Sequence, residues 1–257
     1  MIFHTFGNKG SKIIILIHGM LSPWQIWQPA ADRFAKDYYV IVPELDAHTE
    51  DEASQFHSIE NEAEQIKDYL QKHCGTKVFA VCGLSMGGRI AAVLAGDPEV
   101  AADCLVLDGA PLMPVPGVLK NIMKNSYLNI IRKSKKRDPK VIDSFKRNFL
   151  PEKHLENYLK IADNMEEQSV INIIDSVFSE FEFKKYDESC KILFMHGTKG
   201  NESVSKKAAI KLKSVNPQTE IRCYKGYAHA RLACFEEEKW IDEVCGFINT
   251  IHNLRVE

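Results

Sequence analysis

Between residues 77 and 95 the chain turns from a strand into a helix with almost no room to do so. Lys77-Val78-Phe79-Ala80-Val81 is apolar and β-favouring, and reads as a buried strand. Arg89-Ile90-Ala91-Ala92-Val93-Leu94-Ala95 follows with a helix pattern and little polar surface. The residues between them, Cys82-Gly83-Leu84-Ser85-Met86-Gly87-Gly88, have the form G-x-S-x-G with one further glycine. A strand that turns this sharply into a helix pushes Ser85 into a strained backbone conformation. Gly83, Gly87 and Gly88 are the small neighbours that let the chain pack through the turn.

The rest of the chain repeats the strand–helix alternation, the pattern of a mostly parallel sheet covered on both faces. Strands are predicted over residues 2–6, 12–17, 38–42 (ended by Pro43), 77–81, 102–107, 191–195 and 220–224. Residues 58–70 place Ile59, Ala63, Ile66 and Leu70 on one helical face, with Glu60 and Glu62 near the start where the helix dipole favours them. Trp240, Ile241, Val244, Phe247, Ile248 and Ile251 stripe a closing helix. Residues 111–185 break the alternation. They hold no convincing strand and read as amphipathic helices broken at Pro139 and Pro151. The expected organisation is a core of residues 1–110 and 186–257 with a helical insertion of residues 111–185.

At 257 residues the chain is long enough for one domain with a substantial core. A net charge of −2 gives no reason to expect nucleic acid as a partner. No stretch is long and apolar enough to span a membrane, so no stable insertion is expected, and the first residues lack the pattern of a signal peptide. The seven cysteines include no C-x-x-C pair, and Cys82, Cys104, Cys190 and Cys223 fall in or beside strand-like runs, where cysteine acts as a small apolar residue. A reducing, cytoplasmic location fits this usage better than a disulfide scaffold, and no metal site is expected.

The G-x-S-x-G turn, its context and the strand order together resemble the α/β-hydrolase fold family, closest to its serine esterase and lipase-like members with a helical cap. The resemblance covers nearly the whole chain and implies the family's fold: a mostly parallel central sheet flanked by helices, with a helical lid inserted after the sixth strand. It makes Cys82–Gly88 a nucleophile elbow with Ser85 as the nucleophile. It makes Ile17-His18-Gly19-Met20 the loop that holds an oxyanion, with donors at the Met20 and Met86 N–H groups. It makes His229, in Lys225-Gly226-Tyr227-Ala228-His229-Ala230 after the last strand, the base. The other histidines compete poorly: His4, His48, His57, His73, His154 and His252 read as surface or edge positions, and His196 as support for its own loop.

The third member departs from the family pattern. The run His196-Gly197-Thr198-Lys199-Gly200-Asn201-Glu202 has Gly200 where the family places an aspartate. Glu202 is the nearest carboxylate, Asp108 after the fifth strand is an alternative acid, and a site with no acid is a third possibility. Trp24 and Trp27, after the oxyanion loop, are either core packing or an apolar wall of the substrate site, and Gly19 and Trp24 are counted as candidate substrate contacts.

Residues 119–153 carry eleven basic side chains against three acidic ones. This is either a solvated lid face or an attractor for an anionic acyl donor or lipid surface. Leu119, Ile122, Met123, Leu128, Ile130 and Ile131 share the segment and either pack on the core or line an acyl pocket. The function expected is hydrolysis of small to medium carboxylic esters through an acyl-enzyme, with a small-molecule ester as substrate and no cofactor. The alternatives are a thioesterase, a carbon–carbon hydrolase or lyase on the same scaffold, and a non-catalytic, receptor-like ligand-binding homologue.

Overall fold

A computed structural model describes residues 1–253, with side chains through residue 250. Ile251, expected in the closing helix's stripe, and His252, expected at the surface, therefore have side chains outside the described set. Seven strands form one sheet among these residues: β1 (Ile2–Phe6), β2 (Ile13–Ile17), β3 (Tyr39–Glu44), β4 (Lys77–Leu84), β5 (Ala101–Asp108), β6 (Lys191–His196) and β7 (Thr219–Cys223). Their spatial order is β1-β3-β2-β4-β5-β6-β7, and every pair is parallel except β1 with β3. The central strands β2 and β4 are the continuous apolar runs Ile13-Ile14-Ile15-Leu16-Ile17 and Val78-Phe79-Ala80-Val81-Cys82, all buried, because helices cover both faces.

Helices fill the connections: α1 (Gln28–Phe34), α2 (Ile59–His73), α3 (Met86–Ala95), α4 (Gly117–Lys135), α5 (Pro139–Asn148), α6 (Leu155–Asn164), α7 (Glu167–Val177), α8 (Glu202–Val215), α9 (Arg231–Phe235) and α10 (Glu237–Asn253). The start of α2 is set by Ser58, whose hydroxyl accepts from Asn61 N–H at 3.1 Å. Pro139 opens α5 at a position where its missing N–H is not needed.

Four expectations need correction. The helices α4 to α7 follow the fifth strand of this chain, not the sixth, since only β1 to β5 precede them. Strand β3 continues through Pro43 to Glu44, with Pro43 opposite Phe3 of β1; the β2 pairing ends at Ile41, so the missing N–H falls outside the central ladder. His48 and His154 are buried, and Cys223 is exposed at the end of the edge strand while Cys82, Cys104 and Cys190 are buried.

The 111–185 segment is tied to the core unequally. On its α6–α7 side, Phe56 N–H donates to Ser169 Oγ (3.2 Å) and Ile59 N–H to Ser176 Oγ (2.8 Å). Asn172 Nδ2 donates to Phe56 O (2.9 Å), and Asn164 Nδ2 to Glu50 O (2.9 Å). Helix α5 instead is held by packing, with the Phe145 ring stacked 3.8 Å from that of Tyr158. The positive excess of residues 119–153 is answered in part from within the fold. Lys124 pairs with Asp175 (2.6 Å), Arg132 with Glu167 (2.6 Å), Arg137 with Asp163 (2.7 Å), Lys146 with Glu152 (2.8 Å) and Lys153 with Glu237. Such partly exposed pairs contribute little each, about 0–1 kcal/mol, but they spend the charge locally.

Candidate active site

The site forms where the C-terminal ends of β2, β4, β5 and β6 meet the loop after β7. At the end of β4 the chain turns through Ser85, at φ 52° and ψ −118°, into α3. This non-glycine residue in positive-φ space is held by Ser85 N–H donating to Asp108 O at 2.7 Å and by Ser85 O accepting from Gly88 N–H (2.9 Å) and Arg89 N–H (3.2 Å). The glycines are required by space. A Cβ on Gly83 would stand 2.2 Å from Gly87 O, and one on Gly87 would stand 2.3 Å from Ile17 O.

His229 reaches Ser85 from the loop after β7: its Nε2 lies 2.8 Å from Ser85 Oγ. On the other side of the ring, Nδ1 lies 2.6 Å from Glu202 Oε1. Glu202 Oε2 accepts from Gly197 N–H at 2.7 Å, and Ser205 Oγ lies 3.5 Å from Oε1. Glu202 is 1% exposed. Burial opposes its charge, but the His229 hydrogen bond and charge and the Gly197 N–H outweigh that, so its pKa lies below the usual carboxylate range. The departure at Gly200 has a backbone explanation. With φ at 65°, Gly200 turns the chain so that Glu202 becomes the first residue of α8, where the helix dipole also favours a negative charge. Gly197 lets this loop lie on the histidine loop, since a Cβ there would stand 2.3 Å from Tyr227 O.

Asp108 is near but does not hydrogen-bond to His229. It is 5% exposed, and its Oδ2 has no hydrogen-bond partner. The Trp240 indole lies close by without meeting hydrogen-bond geometry, which leaves its N–H unpaired as well. Burial pushes the Asp108 carboxyl up to about 7, the His229 charge opposes this, and Glu202 adds to it.

Two amide groups lie close to the serine in sequence or in space, on separate turns. Met86 N–H opens α3, and Met20 N–H follows the His18-Gly19 turn; neither is hydrogen-bonded among the described residues. That second turn is braced by two buried histidines. His48 Nε2 accepts from Leu21 N–H (3.0 Å), and its Nδ1–H donates to Asp46 O (3.0 Å). His18 Nε2 accepts from Leu45 N–H (3.2 Å), and its Nδ1–H donates to Gly19 O (3.0 Å). Backbone donors on both Nε2 atoms fix neutral rings. Desolvation, with the neighbouring His48 next in importance, lowers His18 to about 3, and desolvation lowers His48 to about 4.

A cavity of about 210 Å³ lies over Ser85 and His229. Its walls are mostly apolar: Met20 and Leu84 from the core, Leu119, Met123 and Tyr127 along one face of α4, and Phe145, Phe149 and Phe178 beyond. Trp24 is not among them. The 3-10 turn Trp24–Trp27 directs it to β1, where it stacks 3.8 Å from the His4 ring, and Trp27 packs on Trp240. A larger cleft of about 630 Å³ opens at the other ends of the strands among Lys12, Arg33 and Tyr38; no histidine lines it. Among the described residues no group of three metal-ligating side chains gathers, and no helix is long and apolar enough to cross a membrane.

The family model for the alpha/beta hydrolase fold matches residues 12–150, more than half of the chain. The protein belongs to the alpha/beta hydrolase fold family. A curated relative from Gibberella zeae, an AB hydrolase superfamily protein, is 26% identical over 109 residues, 42% of this chain and only 39% of that relative's length. Among solved structures, one from work on carboxylesterases of Nitrososphaera gargenis superposes with a TM-score of 0.77 at 15% identity, covering 98% of this chain and 95% of that one. An esterase from Exiguobacterium antarcticum gives 0.74 at 17% identity, covering 96% and 94%. At such identities these likenesses speak for the fold alone.

Sequence reasoning missed three residues around the site of this alpha/beta hydrolase. His48 was expected at the surface and braces the Gly19–Leu21 turn instead. Tyr127 was not singled out, though it continues the pocket-lining row that Leu119 and Met123 begin at helical spacing. Arg89, in an otherwise apolar helix pattern, is 1% exposed. The signal for Arg89 was its neighbours: a lone charge among Gly88, Ile90, Ala91 and Ala92 is surrounded by residues of the buried face.

Proposed function

We propose that the protein is a serine hydrolase of carboxylic esters, with Ser85 as nucleophile, His229 as base and Glu202 as the acid that orients it. The observation that carries this reading is the unbroken chain of contacts from Ser85 Oγ through both nitrogens of His229 to Glu202, 2.8 Å and 2.6 Å, at the floor of an apolar cavity. With its proton held on Nδ1 by Glu202, the ring presents the lone pair of Nε2 to the serine hydroxyl. His229 takes the Ser85 proton as Oγ attacks the ester carbonyl, and the Met20 and Met86 N–H groups receive the negative oxygen. His229 then gives the proton to the leaving alcohol. A water, deprotonated by the same ring, releases the acid and frees Ser85. The largely apolar walls suit an uncharged acyl group of small to medium size, and helices α4 to α7 serve as the cap that keeps water from it.

The contact chain also counts against a ligand-binding role without turnover, for which a paired serine and histidine serve no purpose. The test is phosphonylation by a fluorophosphonate probe, located by mass spectrometry, together with turnover of 4-nitrophenyl acetate. Label on Ser85 and turnover, both absent from Ser85→Ala, are expected. A folded wild-type protein that takes no label and turns over no ester refutes the reading.

A further inference from the structure

Arg89 carries a buried cation that makes no ion pair among the described residues. Its Nη1 donates to Pro111 O (3.1 Å), Val177 O (2.9 Å) and Ser179 O (3.2 Å). Its Nη2 donates to Ser179 O (3.2 Å), Ser179 Oγ (2.9 Å) and Glu180 O (2.8 Å), and the guanidinium carbon lies 5.1 Å from the centre of the Phe181 ring. A buried charge balanced by carbonyl dipoles rather than by an anion is a costly way to fill space. Its position says what it does. Residues 110–115 and 177–181 are the two stems by which the helical segment leaves and rejoins the sheet, and Val115 N–H joins them by donating to Phe178 O at 3.2 Å. Arg89 holds both stems with its side chain, while its own backbone N–H donates to Ser85 O. Gly88 permits the approach, since a Cβ there would stand 2.8 Å from Ala110 Cβ. The stems also supply Pro111, Val115 and Phe178 to the cavity over Ser85.

We propose that Arg89 is a positioning residue that fixes the Pro111–Val115–Phe178 wall at a set distance from Ser85, and so sets the size of acyl group the site admits. This rests on Ser85 being the nucleophile of an ester hydrolase. The guanidinium holds the stems through two nitrogens; a lysine ammonium is one bond shorter in reach, has three donors on one atom and gives up the Nη2 contacts to Ser179 and Glu180.

The experiment compares wild type and Arg89→Lys on the acetate and octanoate esters of 4-nitrophenol, and follows hydrogen exchange of the Val115 amide. A wall released by even about 1 Å is expected to lower kcat/KM on octanoate by about tenfold or more, chiefly through KM, while acetate moves far less. Val115 is expected to exchange faster. If the octanoate-to-acetate ratio and the Val115 protection both stay at wild-type values while only the melting temperature falls, Arg89 merely stabilises the fold and the proposal is overturned. Should Arg89→Lys fail to fold, Ser179→Ala removes one Arg89 acceptor, together with the local Oγ–H bond to Ser176 O, and must shift the ratio the same way by about twofold; no shift overturns the proposal. If the wild type hydrolyses neither ester, it is the hydrolase reading that fails, and Val115 exchange still decides whether Arg89 holds the stems.

Discussion

Glu202→Gln keeps the shape of the side chain and changes one charge and one donor, and the structure sets out what must go wrong. Glu202 uses one oxygen for Gly197 N–H and the other for His229 Nδ1–H. A glutamine has one oxygen. If it stays on Gly197, the amide NH₂ faces Nδ1, which must then become an acceptor, and the ring proton moves to Nε2. Nε2 would then point a proton at Ser85 Oγ, 2.8 Å away, and could not receive one. If the amide flips, NH₂ meets Gly197 N–H donor to donor in a site 1% exposed, at a cost of about 1–3 kcal/mol for the unpaired group. The first arrangement is the cheaper, and it holds the histidine in the wrong tautomer. The expected loss is about 10⁴-fold in kcat, or about 5.5 kcal/mol of barrier at about 1.4 kcal/mol per tenfold. The assay is kcat/KM on 4-nitrophenyl acetate beside the rate of Ser85 phosphonylation read from intact mass. The reasoning is refuted if Glu202→Gln keeps more than about a tenth of wild-type activity while Asp108→Asn loses about 10³-fold; the acid would then be Asp108.

Asp108 carries a second consequence, for stability. Its carboxyl titrates at about 7 in the fold against 3.8 in an ordinary setting, so the folded state holds an extra proton between those values and stability falls as pH rises through that window. Asp108→Asn is expected to raise the melting temperature at pH 8 and not at pH 4; an equal gain at both would sink the idea. The two buried histidines act on the acid side. With His18 at about 3 and His48 at about 4 in the fold, the unfolded chain binds their protons first, so stability present above about pH 6.5 is lost as pH falls toward 4. His48→Phe should flatten that acid slope in urea titrations, and at pH 8 should cost about 1–3 kcal/mol for the orphaned Leu21 N–H. Gly87→Ala places a Cβ 2.3 Å from Ile17 O and 2.4 Å from His18 O, backbone atoms that cannot step aside. A loss of about 3 kcal/mol or more is expected, and a melting temperature within about 2 °C of wild type would contradict it.

The sheet was legible because its strands are buried on both faces and so stand out as unbroken apolar runs, Ile13-Ile14-Ile15-Leu16-Ile17 above all. The extension of β3 past Pro43 was not, because a proline's cost depends on which neighbour strand lies beside it, and that is known only once β1 pairs there. The strained turn at Ser85 was readable from three glycines whose absent side chains make way for backbone. Which of Glu202 and Asp108 contacts His229 was beyond the sequence, since it turns on Gly200 adopting a positive φ and on α8 starting where it does. Burial of Arg89 and His48 was hidden for another reason. Their partners are backbone groups far along the chain, such as Val177 O and Leu21 N–H, which carry no mark in residue identity.

The unequal anchoring of residues 111–185 bears on how the molecule breathes. One half of that segment is pinned to the loop before α2 by directional bonds to Ser169, Asn172 and Ser176, while α5 rests on ring stacking between Phe145 and Tyr158. Stacked rings slide with little penalty where hydrogen bonds must break, so low-energy fluctuations are expected to gather at α5 and the residues that follow it. Phe149, which follows α5, lines the pocket yet is 44% exposed, and Leu119 of α4 lines it at 47%. Exchange of molecules with the cavity is therefore expected past these two side chains, with the wall beside Arg89 expected to move less.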